Sequence, residues 1–222
     1  MRLAHAVFEP AGGGPYPTIV ALHGWGASAL DLLTLAPYIS RGRFLVLCPQ
    51  GSVETSIGSG MVGYGWFPLR LGGPMDLGAF QAARESLETF VNDGCARYPI
   101  DLKKLVLLGF SQGGTMAYSL ALTWPERFAA LAALSTWLPE EVLPAHRASG
   151  GAGSPAILVQ HGTRDERIEV NRARAAVEKL RELRLPITYR EYDMGHEISA
   201  RSLNDLSAWL EEKVLSPIIT AE

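Results

Sequence analysis

Lys104-Leu-Val-Leu-Leu-Gly-Phe-Ser-Gln-Gly-Gly-Thr115 is the stretch whose reading decides the rest of this chain. Its apolar run, Lys104 to Leu108, has the composition of a strand covered on both faces. It leads into Gly109-Phe110-Ser111-Gln112-Gly113, and a helical run from Thr115 to Leu122 follows. A Gly-x-Ser-x-Gly turn between strand and helix forces the serine into a strained conformation at the strand's carboxyl end. Side chains at 109 and 113 would collide with the neighbouring strand and helix. The first amides of the helix point at the same spot. Ser111 is therefore the candidate nucleophile.

Outward from it, short apolar runs recur along the chain. Thr18 to Leu22, Phe44 to Cys48, Phe128 to Leu134, Ala156 to Gln160 and Ile187 to Tyr192 read as further strands. Leu3 to Phe8 reads as a short edge strand. Helix-period stretches lie between them: Leu77 to Tyr98, Arg167 to Leu185 and Ala200 to Val214. Strand and helix alternate, which predicts an α/β domain over residues 1–222 with a mostly parallel central sheet and helices on both faces. Only a short stretch separates Ser135 from Ala156, too little for a large cap, so the site is expected to be open. Gly51 to Pro74, rich in glycine and carrying Tyr64, Trp66 and Phe67, reads as a long loop, either a wall over the site or a packed surface loop. Ser149 to Ser154 reads as a flexible connector.

A serine hydroxyl needs a base, and the base needs an orienting acid. Of His5, His23, His146, His161 and His196, only His196 follows the last strand, after a glycine that lets the loop turn inward. His5 and His146 read as solvent-facing, and His23 and His161 as strand-end residues bonded to loops. Asp165 ends the turn Gln160-His-Gly-Thr-Arg-Asp165. Its rivals have other uses: Asp193 would stabilise the histidine's own loop, and Glu166 would begin a helix at the favourable pole of its dipole. The order Ser111, Asp165, His196 is that of the α/β-hydrolase fold, and differs from chymotrypsin and subtilisin. Oxyanion donors are expected at the backbone N–H of Gln112 and of Trp25, in His23-Gly-Trp-Gly26. Gln112→Ala is accordingly expected to matter less than Ser111→Ala, because the donor is the backbone. The Trp25 side chain lies either against the substrate or over a helix beginning near Ala29.

Composition excludes several alternatives. Twenty Lys and Arg against 23 Asp and Glu give a net charge of −3, which leaves no footprint for nucleic acid or an anionic membrane. Two cysteines, Cys48 and Cys95, supply neither a disulfide framework nor a zinc site and read as buried free thiols, and the serine mechanism implies no metal or organic cofactor. No run approaches a membrane span, and Met1 to Pro10 lacks a signal-peptide pattern. A cytoplasmic protein is expected from the chain as given, or a secreted one if it was cut from a longer precursor. Either a monomer or a homodimer is compatible with it.

Taken together, Leu22-His-Gly-Trp-Gly26, Cys48-Pro-Gln50, Gly109-Phe-Ser-Gln-Gly-Gly114, His161-Gly-Thr-Arg-Asp165 and Gly195-His196 resemble the carboxylesterase/phospholipase group of the α/β-hydrolases. That group includes acyl-protein thioesterases. The resemblance runs from about Thr18 to Leu215. It implies the same triad, Ser111, Asp165 and His196, and the same oxyanion donors, Trp25 and Gln112. Trp66-Phe67 is similar to an aromatic element of the family, with Pro68 where an acid is usual, and joins Trp25 as a candidate substrate contact. The family's HGLGD is replaced by a motif with Trp25 and Ala27. The activity expected is hydrolysis of a small carboxylic ester through an acyl-enzyme, and the open site without a cap favours short to medium acyl chains. Thioester hydrolysis, peptide cleavage and acyl transfer are the alternatives on one triad.

Overall fold

Every expected strand is present, and the edges are set by what each residue can pair with. The computed structural model describes residues 3–69, 73–143 and 153–216. Strands β1 (His5–Phe8), β2 (Tyr16–Leu22), β3 (Leu45–Pro49), β4 (Val53–Ser56) and β5 (Val62–Gly65) precede helix α1 (Leu77–Arg97). Then come β6 (Ile100–Phe110), α2 (Gln112–Thr123), β7 (Ala130–Leu134), β8 (Ala156–Gly162), α3 (Val170–Glu182), β9 (Ile187–Tyr192) and α4 (Ala200–Leu210). The main sheet runs β1-β3-β2-β6-β7-β8-β9. All its neighbours are parallel except β1, which pairs antiparallel with β3 and closes that edge.

Both faces of the sheet are covered, which is why its central strands are apolar without alternation. Val20, Leu22, Leu45, Leu47, Leu105 and Leu107 face the layer built by α1, α2 and α3. Ile19, Ala21, Val46, Cys48, Val106 and Leu108 face α4 and a pair of short 3₁₀ turns, Leu32–Leu35 and Ile39–Gly42. Leu22 sits opposite Gly109, so the end of β2 lies beside the turn that carries Ser111.

Several expectations are corrected. The Gly51 to Pro74 stretch is not a plain loop: β4 and β5 form an antiparallel hairpin, and Tyr64 bridges back to Ala27. Its glycines serve contact and turning. Gly58, Ser59 and Gly60 take left-handed φ at the tip, whereas a Cβ on Gly63 would sit 2.1 Å from the Gly26 carbonyl oxygen. The helix expected near Ala29 is a single 3₁₀ turn, since Pro37 cannot extend it. Helix α3 starts at Val170, not Arg167. Asp165 Oδ1 captures the N–H groups of Arg167 and Ile168, both at 2.9 Å, and holds them in a turn. Glu166 therefore begins no helix. α4 ends at Leu210 and continues as one π turn, Glu211–Leu215. Between β7 and β8 the described residues hold only the short turn Glu140–Val142, and no cap domain. His146 and residues 149–152 of the expected connector lie outside the described residues.

Candidate active site

The turn after β6 places Ser111 at φ 54°, ψ −122°, a conformation an L-residue adopts only when its surroundings impose it. They do so through close backbone packing. A Cβ on Gly113 would lie 2.0 Å from the Leu22 carbonyl oxygen, so α2 can abut β2 only with glycine there. The Ser111 carbonyl accepts from Thr136 Oγ1 at 2.7 Å, and its N–H donates to the Leu134 carbonyl at 3.0 Å. The serine is anchored on both sides.

β6, β8 and β9 are parallel, so their carboxyl ends share one edge of the sheet. Asp165 follows β8 and His196 follows β9, and there the three side chains meet. Ser111 Oγ lies 3.0 Å from His196 Nε2, and His196 Nδ1 lies 2.7 Å from Asp165 Oδ2. With the carboxylate accepting, Nδ1–H is the donor and Nε2 is the lone-pair nitrogen that faces the serine. Asp165 is fully buried, and its charge is met by the two backbone N–H groups on Oδ1 and by His196 on Oδ2. His161 adds a further contact, Nε2 at 3.3 Å from Oδ2, while donating to the Ile168 carbonyl at 2.7 Å. The Phe110 ring packs against the His196 imidazole, centroids 4.9 Å apart.

The other described histidines have structural partners. His23 donates from Nδ1 to the Gly24 carbonyl at 2.8 Å, and its Nε2 accepts from the Gly51 N–H at 3.0 Å. Burial pushes the pKa of both His23 and His161 below the ordinary imidazole value, so both are neutral. His5 is not solvent-facing. It is half-buried, bonded to Tyr98 and packed edge-on against Phe90. Burial likewise pushes the Cys48 thiol up to about 12.

The turn His23 to Gly26 passes against the serine: a Cβ on Gly24 would approach Ser111 Cβ to 3.2 Å. The N–H groups of Trp25 and Gln112 have no protein acceptor among the described residues. Two unspent donors thus lie next to Ser111 and Gly24 in the chain. A cavity of about 840 Å³ opens over Ser111 and His196, with Trp25, Phe67, Leu69, Met75, Phe110 and Trp137 in its walls. Arg172 lies over the Trp137 ring at 5.3 Å. A smaller, mostly polar hollow of about 520 Å³ shares Glu166, Arg167 and His196 with it.

Trp25 and Phe67 line the large cavity, but Trp66 does not. The Trp66 side chain is buried, its Nε1–H donating to the His23 carbonyl at 2.8 Å and its ring tilted against the His23 imidazole. Sequence reasoning also missed the Gln112 side chain. It is wholly buried, Oε1 accepting from the Trp66 N–H at 2.8 Å and Nε2 donating to the Phe67 carbonyl at 2.6 Å. Removing either bond would leave a buried group unpaired, at a cost of about 1–3 kcal/mol.

A hydroxyl on a lone-pair imidazole nitrogen, a buried carboxylate behind it and free N–H donors on the adjoining segments can carry acyl transfer. Comparison with known proteins points the same way. Over 94% of its length the chain is 28% identical to acyl-protein thioesterase 1 of Mycosarcoma maydis, covering 96% of that protein. It is 25% identical to carboxylesterase SOBER1 of Arabidopsis thaliana over 76% of this chain and 72% of that one. The crystal structure of esterase PE8 superposes with a TM-score of 0.82 at 28% identity, covering 96% of this chain and 100% of that one. The profile of the Phospholipase/Carboxylesterase family matches residues 3–214, and the chain belongs to that family of hydrolases, with its α/β-hydrolase fold.

Proposed function

We propose that this protein is a serine carboxylester hydrolase acting on short- to medium-chain acyl esters through an acyl-enzyme. The observation that carries the reading is the 3.0 Å approach of Ser111 Oγ to His196 Nε2, with Asp165 2.7 Å behind the ring. In this reading Ser111 Oγ attacks the ester carbonyl while its proton passes to His196 Nε2. The carbonyl electron pair moves onto oxygen and is held by the N–H groups of Trp25 and Gln112. Collapse of the adduct breaks the bond to the alcohol, which leaves with the proton from His196. Water then gives a proton to the same imidazole as it attacks the acyl group; the acyl–Oγ bond breaks, His196 returns that proton to Ser111 Oγ, and the acid departs. Asp165 keeps the proton on Nδ1 and stabilises the imidazolium.

The apolar part of the larger cavity's wall suits the acyl chain, and the lack of a cap among the described residues supports short to medium lengths. The smaller polar hollow beside His196 suits the departing alcohol and the entering water. A thioester would meet the same groups, and one relative is named a thioesterase. Hydrolysis of p-nitrophenyl esters from acetate to palmitate, by wild type and Ser111→Ala in parallel, tests the reading. Turnover should peak near butyrate or hexanoate and fall by about 10³-fold or more in Ser111→Ala. Faster turnover of palmitate would refute the chain-length assignment, and serine-independent turnover would refute the mechanism.

A further inference from the structure

The Gln112 side chain does something that a backbone oxyanion donor does not require. Its amide is matched end to end with two consecutive residues of another segment, accepting from the Trp66 N–H and donating to the Phe67 carbonyl. Trp66 and Phe67 form a bend just past β5, and the amide spans it. It ties the first residue of α2 to a residue that lines the cavity.

The tie has no slack. A Cβ on Gly65 would meet the Trp25 ring at 2.1 Å and Gln112 Oε1 at 3.1 Å, so ring and amide both press on that glycine. The segment is fastened at its other foot as well, where the Gly51 N–H donates to His23, two residues before Trp25. Behind the wall, the Phe67 ring packs edge-on against Phe80 of α1, centroids 5.4 Å apart. Phe67 thus stands between a rigid helix and the cavity, and its backbone hangs on the residue whose N–H flanks Ser111.

We propose that the Gln112 side chain is a positioning and specificity-determining residue: it locks the Phe67 wall to the oxyanion N–H of Gln112, so that the fit of the acyl chain against Phe67 is read in kcat. This rests on the esterase reading above and names the device that would set its chain-length preference. It gives the Gln112 side chain a role besides the backbone donor that the sequence reading assigned to this residue.

The test is kcat and KM for the acetate, butyrate, hexanoate and octanoate esters, with active sites counted by fluorophosphonate titration. The variants are Gln112→Ala, Gln112→Glu, Phe67→Ala and the Gln112→Ala/Phe67→Ala pair. Glutamate has the same reach and still accepts from Trp66, but turns a second acceptor toward the Phe67 carbonyl. Both Gln112 variants should lose about tenfold more kcat on hexanoate than on acetate, since small misplacement is costly at a reacting centre. Adding Gln112→Ala to Phe67→Ala should cause no further chain-length dependence, because the two act as one unit. Should Gln112→Ala fail to fold, Gln112→Glu against Phe67→Ala carries the comparison. Equal losses at every chain length, additive effects in the pair, or no loss in either Gln112 variant would each overturn the proposal. Turnover with such uniform losses defeats the proposal alone. Absence of turnover by the wild type defeats the esterase reading and the proposal with it.

Discussion

Asp165 shows how much one side chain can organise. Its Oδ1 shapes the turn before α3 by taking the Arg167 and Ile168 N–H groups, and its Oδ2 faces His196. In Asp165→Asn the amide oxygen would stay with the two backbone donors, which leaves its NH₂ facing His196 Nδ1. The imidazole would then accept there and carry its proton on Nε2, against the serine. A ring in that tautomer cannot take the Ser111 proton. We expect kcat to fall by about 10³–10⁴-fold with little change in melting temperature. A loss below about tenfold, measured on the butyrate ester, would remove Asp165 from the role. His196, Asp165 and Ser111 could be picked from sequence because strand-end position and neighbouring glycines mark them. The Gln112 side chain could not, because only the hairpin's backbone, far off in sequence, reveals its partners.

At the scale of elements, strands were the easier part to read. A parallel strand buried on both faces leaves an unbroken apolar run, and β2, β3, β6, β7 and β8 all carry one. The hairpin of β4 and β5 hid because its burial pattern is weak and its glycines look like loop residues. Two of those glycines are where backbone meets backbone or ring, at Gly63 and Gly65. Helix starts were misplaced where a side chain competes for the first amides, as Asp165 does before α3. Trp66 illustrates the same limit. Its position beside Phe67 suggested a shared role, but the two residues lie in a bend past β5, where Trp66 turns against His23 while Phe67 packs on Phe80 and lines the cavity.

For the molecule as a whole, the buried neutral histidines set the response to acid. His23 and His161 are held below the ordinary imidazole value by burial, whereas the unfolded chain takes up their protons near ~6.5. The unfolded state then binds more protons, so stability falls as pH drops below about 6.5. Glu191 adds a second stage. The two-pronged bond from Arg174 and the Tyr189 hydroxyl hold its carboxyl at about 2, against an ordinary value of 4.5. Its contribution is complete above that ordinary value and is lost between there and about 2. Melting temperature against pH should therefore begin to decline near ~6.5. Glu191→Gln should lower it at neutral pH and converge on the wild type toward pH 2. A wild-type curve flat from pH 7 to 5 would contradict the histidine assignment.

The central claim is that Ser111 is a nucleophile activated by His196. Its most direct test is fluorophosphonate labelling followed by intact mass and peptide mapping, on the wild type, Ser111→Ala and His196→Ala. The serine oxygen displaces fluoride, so the account predicts one phosphonyl group per chain, on the Ser111 peptide. It predicts no adduct in Ser111→Ala and labelling slowed at least about 100-fold in His196→Ala. An adduct on another residue, or labelling unaffected by loss of His196, would contradict it.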